Sequence, residues 1–161
     1  VSEPVATEEP VVAVVTPVVT TPVTPAPATP TFVQEFVYAI PVSDPNGTTD
    51  LTTAFIATGA VANGRFVPGS VARGNDGAIQ FSVKNLGTKT SNDWSFSIQL
   101  PNGGTYNSPT QAALKPNERA VLTIGFPASS GSAHTFVVDV DISGDRNSRN
   151  DSFTQRVTFA N

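Results

Sequence analysis

Residues Thr135–Phe159 read TFVVDVDISGDRNSRNDSFTQRVTF. In the first part, Phe136, Val138, Val140 and Ile142 alternate with Thr135, Val137, Asp139 and Asp141. Successive side chains of a strand point to opposite sides, so strict alternation marks one buried face. The second run sets Phe153, Val157 and Phe159 on one side and Thr154, Arg156 and Thr158 on the other. Gln155 is the one polar residue on the apolar side, and Ser143–Asp151 between the runs is polar except for Gly144. Two alternating runs about a polar connection predict a β-hairpin, and this one is expected to close the sheet that earlier strands begin.

The same pattern extends upstream. Trp94–Leu100 (WSFSIQL) puts Trp94, Phe96, Ile98 and Leu100 on one face. Ala78–Asn85 points Ile79, Phe81 and Val83 inward, Arg119–Phe126 points Leu122, Ile124 and Phe126 inward, and Asp50–Ala57 aligns Leu51, Thr53 and Phe55. Asn63-Gly64, Pro101-Asn102-Gly103-Gly104 and Lys115-Pro116-Asn117-Glu118 are turn signals between these runs. Thr105–Ala113 reads as irregular or as an edge strand, because Pro109 cannot donate to a ladder. Phe32–Val42 reads either as a short strand laid on the sandwich or as the sticky end of a linker. No amphipathic helix interrupts the series. About seven strands with regular turn signals argue an all-β fold, an immunoglobulin-like antiparallel β-sandwich, with Trp94 in its core.

Residues 1–31 differ in kind. They hold 7 of the 14 prolines, 9 valines and no aromatic residue. Proline removes amide donors and fixes φ, so this stretch is expected to be a Pro/Thr/Val-rich extended linker of polyproline-II character. At ~3.1 Å per residue it could reach on the order of 90 Å. The division expected is 1–48 for a disordered linker or stalk and 49–161 for the sandwich. The chain starts at Val1 and contains no methionine, which reads as a processed product or a piece of a longer protein. No apolar run approaches the roughly 20 residues of a membrane helix, so membrane attachment is expected only through a segment outside this chain.

Net charge is -4. The acidic excess lies in Glu3, Glu8, Glu9 and Glu35; from Phe36 onward 9 acidic and 9 basic residues balance. A neutral domain lacks the basic surface that a phosphate backbone demands, which argues against nucleic acid. The absence of cysteine excludes a disulfide framework.

Catalytic chemistry finds little to work with. His134 is the sole histidine and no G-x-S-x-G elbow accompanies it. The carboxylates Asp139, Asp141, Asp145 and Asp151 share one hairpin, with no second element to build a cleft for glycoside hydrolysis. As a set of hard oxygens they suit calcium better: Asp139, Asp141, Asp145, Asn147, Asn150 and Asp151 are clustered, although the bidentate Glu of an EF-hand loop is missing and Arg146 and Arg149 stand among them. The competing reading is turn chemistry, since Asx side chains cap local backbone amides. Tyr106, beside the turn that holds Asn102, is the aromatic expected to be exposed, and the two are candidate contact residues for a surface protein or glycan. Asn46-Gly47-Thr48 and Asn150-Asp151-Ser152 are sequons, meaningful only in a glycosylating host.

Several of these stretches resemble the CARDB-type domain, an immunoglobulin-like module of bacterial and archaeal surface proteins. Asp50-Leu51 opens the first strand as in that family. Phe81-Ser82-Val83-Lys84-Asn85-Leu86-Gly87-Thr88 resembles its "v-x-V-x-N-x-G-t", Leu114-Lys115-Pro116-Asn117-Glu118 its "L-x-P-G-e", and Val138-Asp139-Val140-Asp141 with Asn147 and Asn150-Asp151-Ser152 its "v-x-v-D…E-x-N-E-x-N-N". The turn glycine is Asn117 here, Ser148 and Arg149 stand in the region of the loop glutamates, and Asp151 replaces the second Asn of the pair. The resemblance spans about Asp50–Phe159. It implies an extracellular or cell-envelope module, non-catalytic, serving adhesion, protein or glycan interaction, or structural spacing. The alternative is an accessory domain of a larger secreted hydrolase.

Overall fold

The computed structural model describes residues 32–37 and 42–161. Nine strands occur among them: β1 Phe32–Val37, β2 Leu51–Ala62, β3 Arg65–Pro68, β4 Gly77–Asn85, β5 Trp94–Gln99, β6 Thr105–Asn107, β7 Arg119–Phe126, β8 Ala133–Ile142 and β9 Ser152–Thr158. They form two antiparallel sheets, one in the order β1-β7-β4-β2-β3 and the other β6-β5-β8-β9. The strands beyond the expected seven include edge pieces. Phe32–Val37 pairs with β7, with Phe32 opposite Ile124 and Val37 opposite Arg119, so within Phe32–Val42 the strand alternative is realised over Phe32–Val37. Thr105–Asn107 pairs with β5. Residues 1–31 and 38–41 lie outside the described residues, and with them most of the expected linker.

The hairpin of Thr135–Phe159 is β8 and β9, with Val138 opposite Phe153 and Phe136 opposite Gln155. It joins the sheet of Trp94, where Trp94, Phe96 and Ile98 face Ile142, Val140 and Val138. In the other sheet Ile79, Phe81 and Val83 sit opposite Ile124, Leu122 and Ala120. These inward faces meet as one core in which Phe81, Ile79, Leu122, Ile124, Phe136 and Val138 are fully buried. Aromatic rings lock the sheets together. Phe81 meets Phe96 edge-on at 5.2 Å and Phe153 at 5.9 Å, and Phe126 meets Phe136 at 5.2 Å and Phe159 at 6.0 Å. Such offset geometries suit the ring quadrupole. Trp94 is 2% exposed and its Nε1–H donates to the Ala112 carbonyl at 2.9 Å.

The turns are built as their residues dictate. Asn63 and Gly64 adopt φ of 52° and 73°, the left-handed pair of a two-residue hairpin turn. Asn117 takes φ of 63°, a left-handed conformation that Asn tolerates better than most residues.

The sandwich has two poles. At one, β1 begins beside Ile124 and the chain leaves past Ala160, whose N–H donates to the Val71 carbonyl at 2.9 Å. At the other, Leu51, Asn85 and Arg119 lie together. Asn85 is fully buried there and organises four backbone segments. Its Nδ2 donates to the carbonyls of Lys89 and Leu114, each at 2.8 Å, and its Oδ1 accepts the Gly87 N–H at 2.8 Å and faces the Asp50 N–H at 3.5 Å. A Cβ on Gly87 would lie 2.1 Å from the Thr48 carbonyl oxygen, so only glycine fits.

Candidate functional site

The second pole also carries the acidic residues. The chain enters β2 through Thr49 and Asp50, and the β8–β9 loop folds across them. The Arg146 N–H donates to the Thr49 carbonyl at 2.9 Å and the Thr53 N–H to the Asn150 carbonyl at 3.0 Å. Asp145 spends both oxygens on backbone: Oδ1 accepts the Leu51 N–H and Oδ2 the Asn147 N–H, each at 2.7 Å. Asn150 Nδ2 donates to Asp50 Oδ1 at 2.9 Å across a hundred residues of sequence. This bond ties Asn150 into the fold, which argues against its use as a glycosylation acceptor.

Asp151 sits at the centre of this junction. It is 6% exposed, and its Oδ1 and the Oδ1 of Asn150 are buried without a hydrogen-bond partner among the described residues. Buried acceptors are ordinarily satisfied. The Asp151 carboxyl is pushed up to about 6, first by burial and then by the negative charges of Asp145, Asp50 and Asp139.

The expected calcium cluster is therefore rearranged. Asp145 and Asp151 come together, and Asp139 is near enough to act on Asp151 through its field while remaining exposed. Asp141 stands opposite Ser95 on the outer face and lines a separate shallow groove with Asp93 and Thr110. Asn147 is exposed and contributes its N–H to the Asp145 cap. Asp50, which the sequence marked only as the opening of a strand, is part of the junction. No local pattern announces it, because its partners lie at the far end of the chain. Among the described residues no group of three His, Cys, Asp or Glu side chains forms a ready-made metal cage. Arg146 and Lys89 border an adjoining polar depression.

The candidate contact residues fare differently from expectation. Tyr106 is half-buried, opposite Ile98 and packed on Phe96 with ring centroids 6.1 Å apart. Alternation places it on the core side of the edge strand, which its proximity to a turn concealed. Asn102 is exposed, and its Oδ1 accepts the Gly104 N–H at 3.0 Å, closing its own turn. His134 approaches the Gln99 carbonyl with Nε2 at 3.1 Å and packs edge-on against Phe136.

No protein-family model matches the chain, and no curated protein does. Solved structures do. The crystal structure of the CARDB domain of the PF1109 protein from Pyrococcus furiosus, described as a complex with di-metal ions, matches at a TM-score of 0.55 and 22% identity, over 70% of this chain and 90% of that one. The solution structure of the same domain matches at 0.53 and 22% identity, over 70% and 96%. A conjugative transposon lipoprotein from Bacteroides eggerthii follows at 0.35 and 18% identity, over 69% and 97%, too remote to carry an argument. The two-sheet architecture, its strand pairing and these matches agree: the chain has the fold of the CARDB domain.

Proposed function

We propose that this chain is a non-catalytic module of the cell envelope that contacts surface proteins or glycans, carried on its Pro/Thr/Val-rich N-terminal stretch. The observation that carries the reading is the CARDB fold of the described residues; the proline-rich composition of residues 1–31 supports it. Contacts would be made by loops, which carry recognition on a rigid scaffold, here the β8–β9 loop and the Asn102–Gly104 turn. The test is binding of the purified chain to a panel of glycans, peptidoglycan and whole cells. Saturable binding that is lost on altering Ser143–Asp151 or Asn102 supports the reading. No binding across the panel refutes adhesion.

The acidic junction belongs to the same proposal. A hard cation takes oxygen ligands, and the buried Oδ1 atoms of Asn150 and Asp151 lack partners among the described residues. With Asp50 they would make a mixed carboxylate and amide set of three, in place of the six-residue cluster the sequence suggested, leaving out Asp139, Asp141, Asp145 and Asn147. The metal complex of the PF1109 domain supports the idea by analogy. Calcium there would neutralise the repulsion around Asp151. Melting midpoints in millimolar calcium and in EDTA test it. A rise with calcium that disappears in Asp151→Asn is expected, and identical melts would sink the site.

A further inference from the structure

β1 stands apart from the rest of the sandwich. It is the outermost strand of its sheet and its ladder is to β7 alone. Only residues 38–41 separate it from Val42, and the chain is anchored to the body immediately afterwards. The Thr90 N–H donates to Ser43 Oγ and the Asp44 N–H to the Thr88 carbonyl, each at 2.9 Å. β1 is thus a six-residue strand on a short leash.

The edge beneath it is unguarded. β7 reads Arg119-Ala120-Val121-Leu122-Thr123-Ile124-Gly125-Phe126, with no charge and no proline after Arg119. Natural edge strands carry Lys, Pro, bulges or inward charges to prevent pairing with another chain. β7 has none of these, and β4 pairs along its other side from Lys84 opposite Arg119 to Gly77 opposite Phe126 without a register shift. Of the other outer strands, β3 has 4 residues and β6 has 3, while β9 has 7 and carries Arg156. The β7 edge is eight residues long, runs against β4 without a register shift and is uncharged after Arg119, which suits it to being covered by a strand.

We propose that β1 is an exchangeable strand, and that Phe32–Val37 of one copy seats on β7 of a second copy. The two copies have the same sequence, so the trans ladder makes the same hydrogen bonds as the cis one. The balance between them is set by local concentration rather than by new contacts. A short leash gives the cis strand an effective concentration of the order of millimolar. The exchanged form is therefore scarce in dilute solution and favoured where copies crowd, as on a densely covered surface. Release of β1 from its own β7 onto the β7 of a second copy converts separate sandwiches into linked ones.

The chain has no cysteine, which makes the test clean. Val33 lies opposite Thr123 in the ladder. Two single variants of the full chain, Val33→Cys and Thr123→Cys, are mixed and treated with a short thiol–thiol crosslinker across a range of concentrations. Neither variant can bridge these positions within itself. The proposal expects a covalent heterodimer that rises roughly in proportion to concentration below the millimolar range. The double variant is expected to close internally when dilute. Internal closure of the double variant without any heterodimer in the mixture overturns exchange. Failure of the double variant to close, with its far-ultraviolet spectrum native-like, overturns the β1–β7 register on which exchange rests.

Discussion

Replacing Asp151 by Asn tests the acidic junction most directly. The carboxyl is pushed from 3.8 to about 6 in the folded chain, by burial and by Asp145, Asp50 and Asp139. A shift of roughly 2 pH units corresponds to about 3 kcal/mol of differential interaction at about 1.4 kcal/mol per unit. The folded state binds this proton more tightly than the unfolded state does. The contribution is therefore fully favourable below pH 3.8 and is lost as pH rises through about 6. At pH 7 the wild type bears nearly the whole penalty. Asp151→Asn keeps the shape and removes the charge, so it is expected to stabilise the domain by up to about 3 kcal/mol at pH 7 in EDTA. The gain shrinks to about half that near pH 5 and nearly vanishes by pH 4. Urea melts of both proteins from pH 4 to 8 measure the difference, and the subtraction cancels the other carboxylates. Calcium should reverse the ranking at pH 7 if the cation sits where proposed. A variant that is less stable than the parent at pH 7 in EDTA, or a difference flat across pH, would refute the electrostatic account of this junction.

Further outcomes follow from the core and its corner. Asn85→Ala leaves the Gly87 N–H and the Lys89 and Leu114 carbonyls without their partner, and a loss of about 3–5 kcal/mol is expected in urea melts. Phe81→Ala removes a fully buried ring that touches Phe96 and Phe153, with an expected cost of about 3–5 kcal/mol read the same way. Trp94→Phe keeps most of the apolar area but orphans the Ala112 carbonyl. About 1–2 kcal/mol should be lost, with the fold retained by circular dichroism.

The hairpin was legible because its pattern is local. Alternation from Phe136 to Ile142 and from Phe153 to Phe159 needs no knowledge of partners, and the polar run between them is the loop that forms. The same holds for Trp94, whose burial follows from its alternation with Phe96 and Ile98. The junction was legible only in half. Asp145 and Asp151 stand in the loop, but their neighbour Asp50 is brought to them by the packing of β2 against the β8–β9 loop, a contact no short window contains. Asp141 shares the parity and exposure of Asp139, but it lies opposite Ser95 and lines a separate groove, which alternation alone does not reveal. Tyr106 misled for the opposite reason. A three-residue edge strand is too short to show a period, so its core-facing side read as loop.

The two poles also decide where load travels. β1 begins, and the last strand runs out past Ala160, at the pole away from the acidic junction. Tension applied through the residues before Phe32 and after Ala160 would enter and leave at that one pole. It would pull on the β1–β7 ladder from the Phe32 end, opening bonds one after another instead of shearing them together. Under such tension the domain would yield first at its outer strand. The Asn85 corner and the Asp151 junction lie at the opposite pole, so protonation of Asp151 would be insulated from such tension.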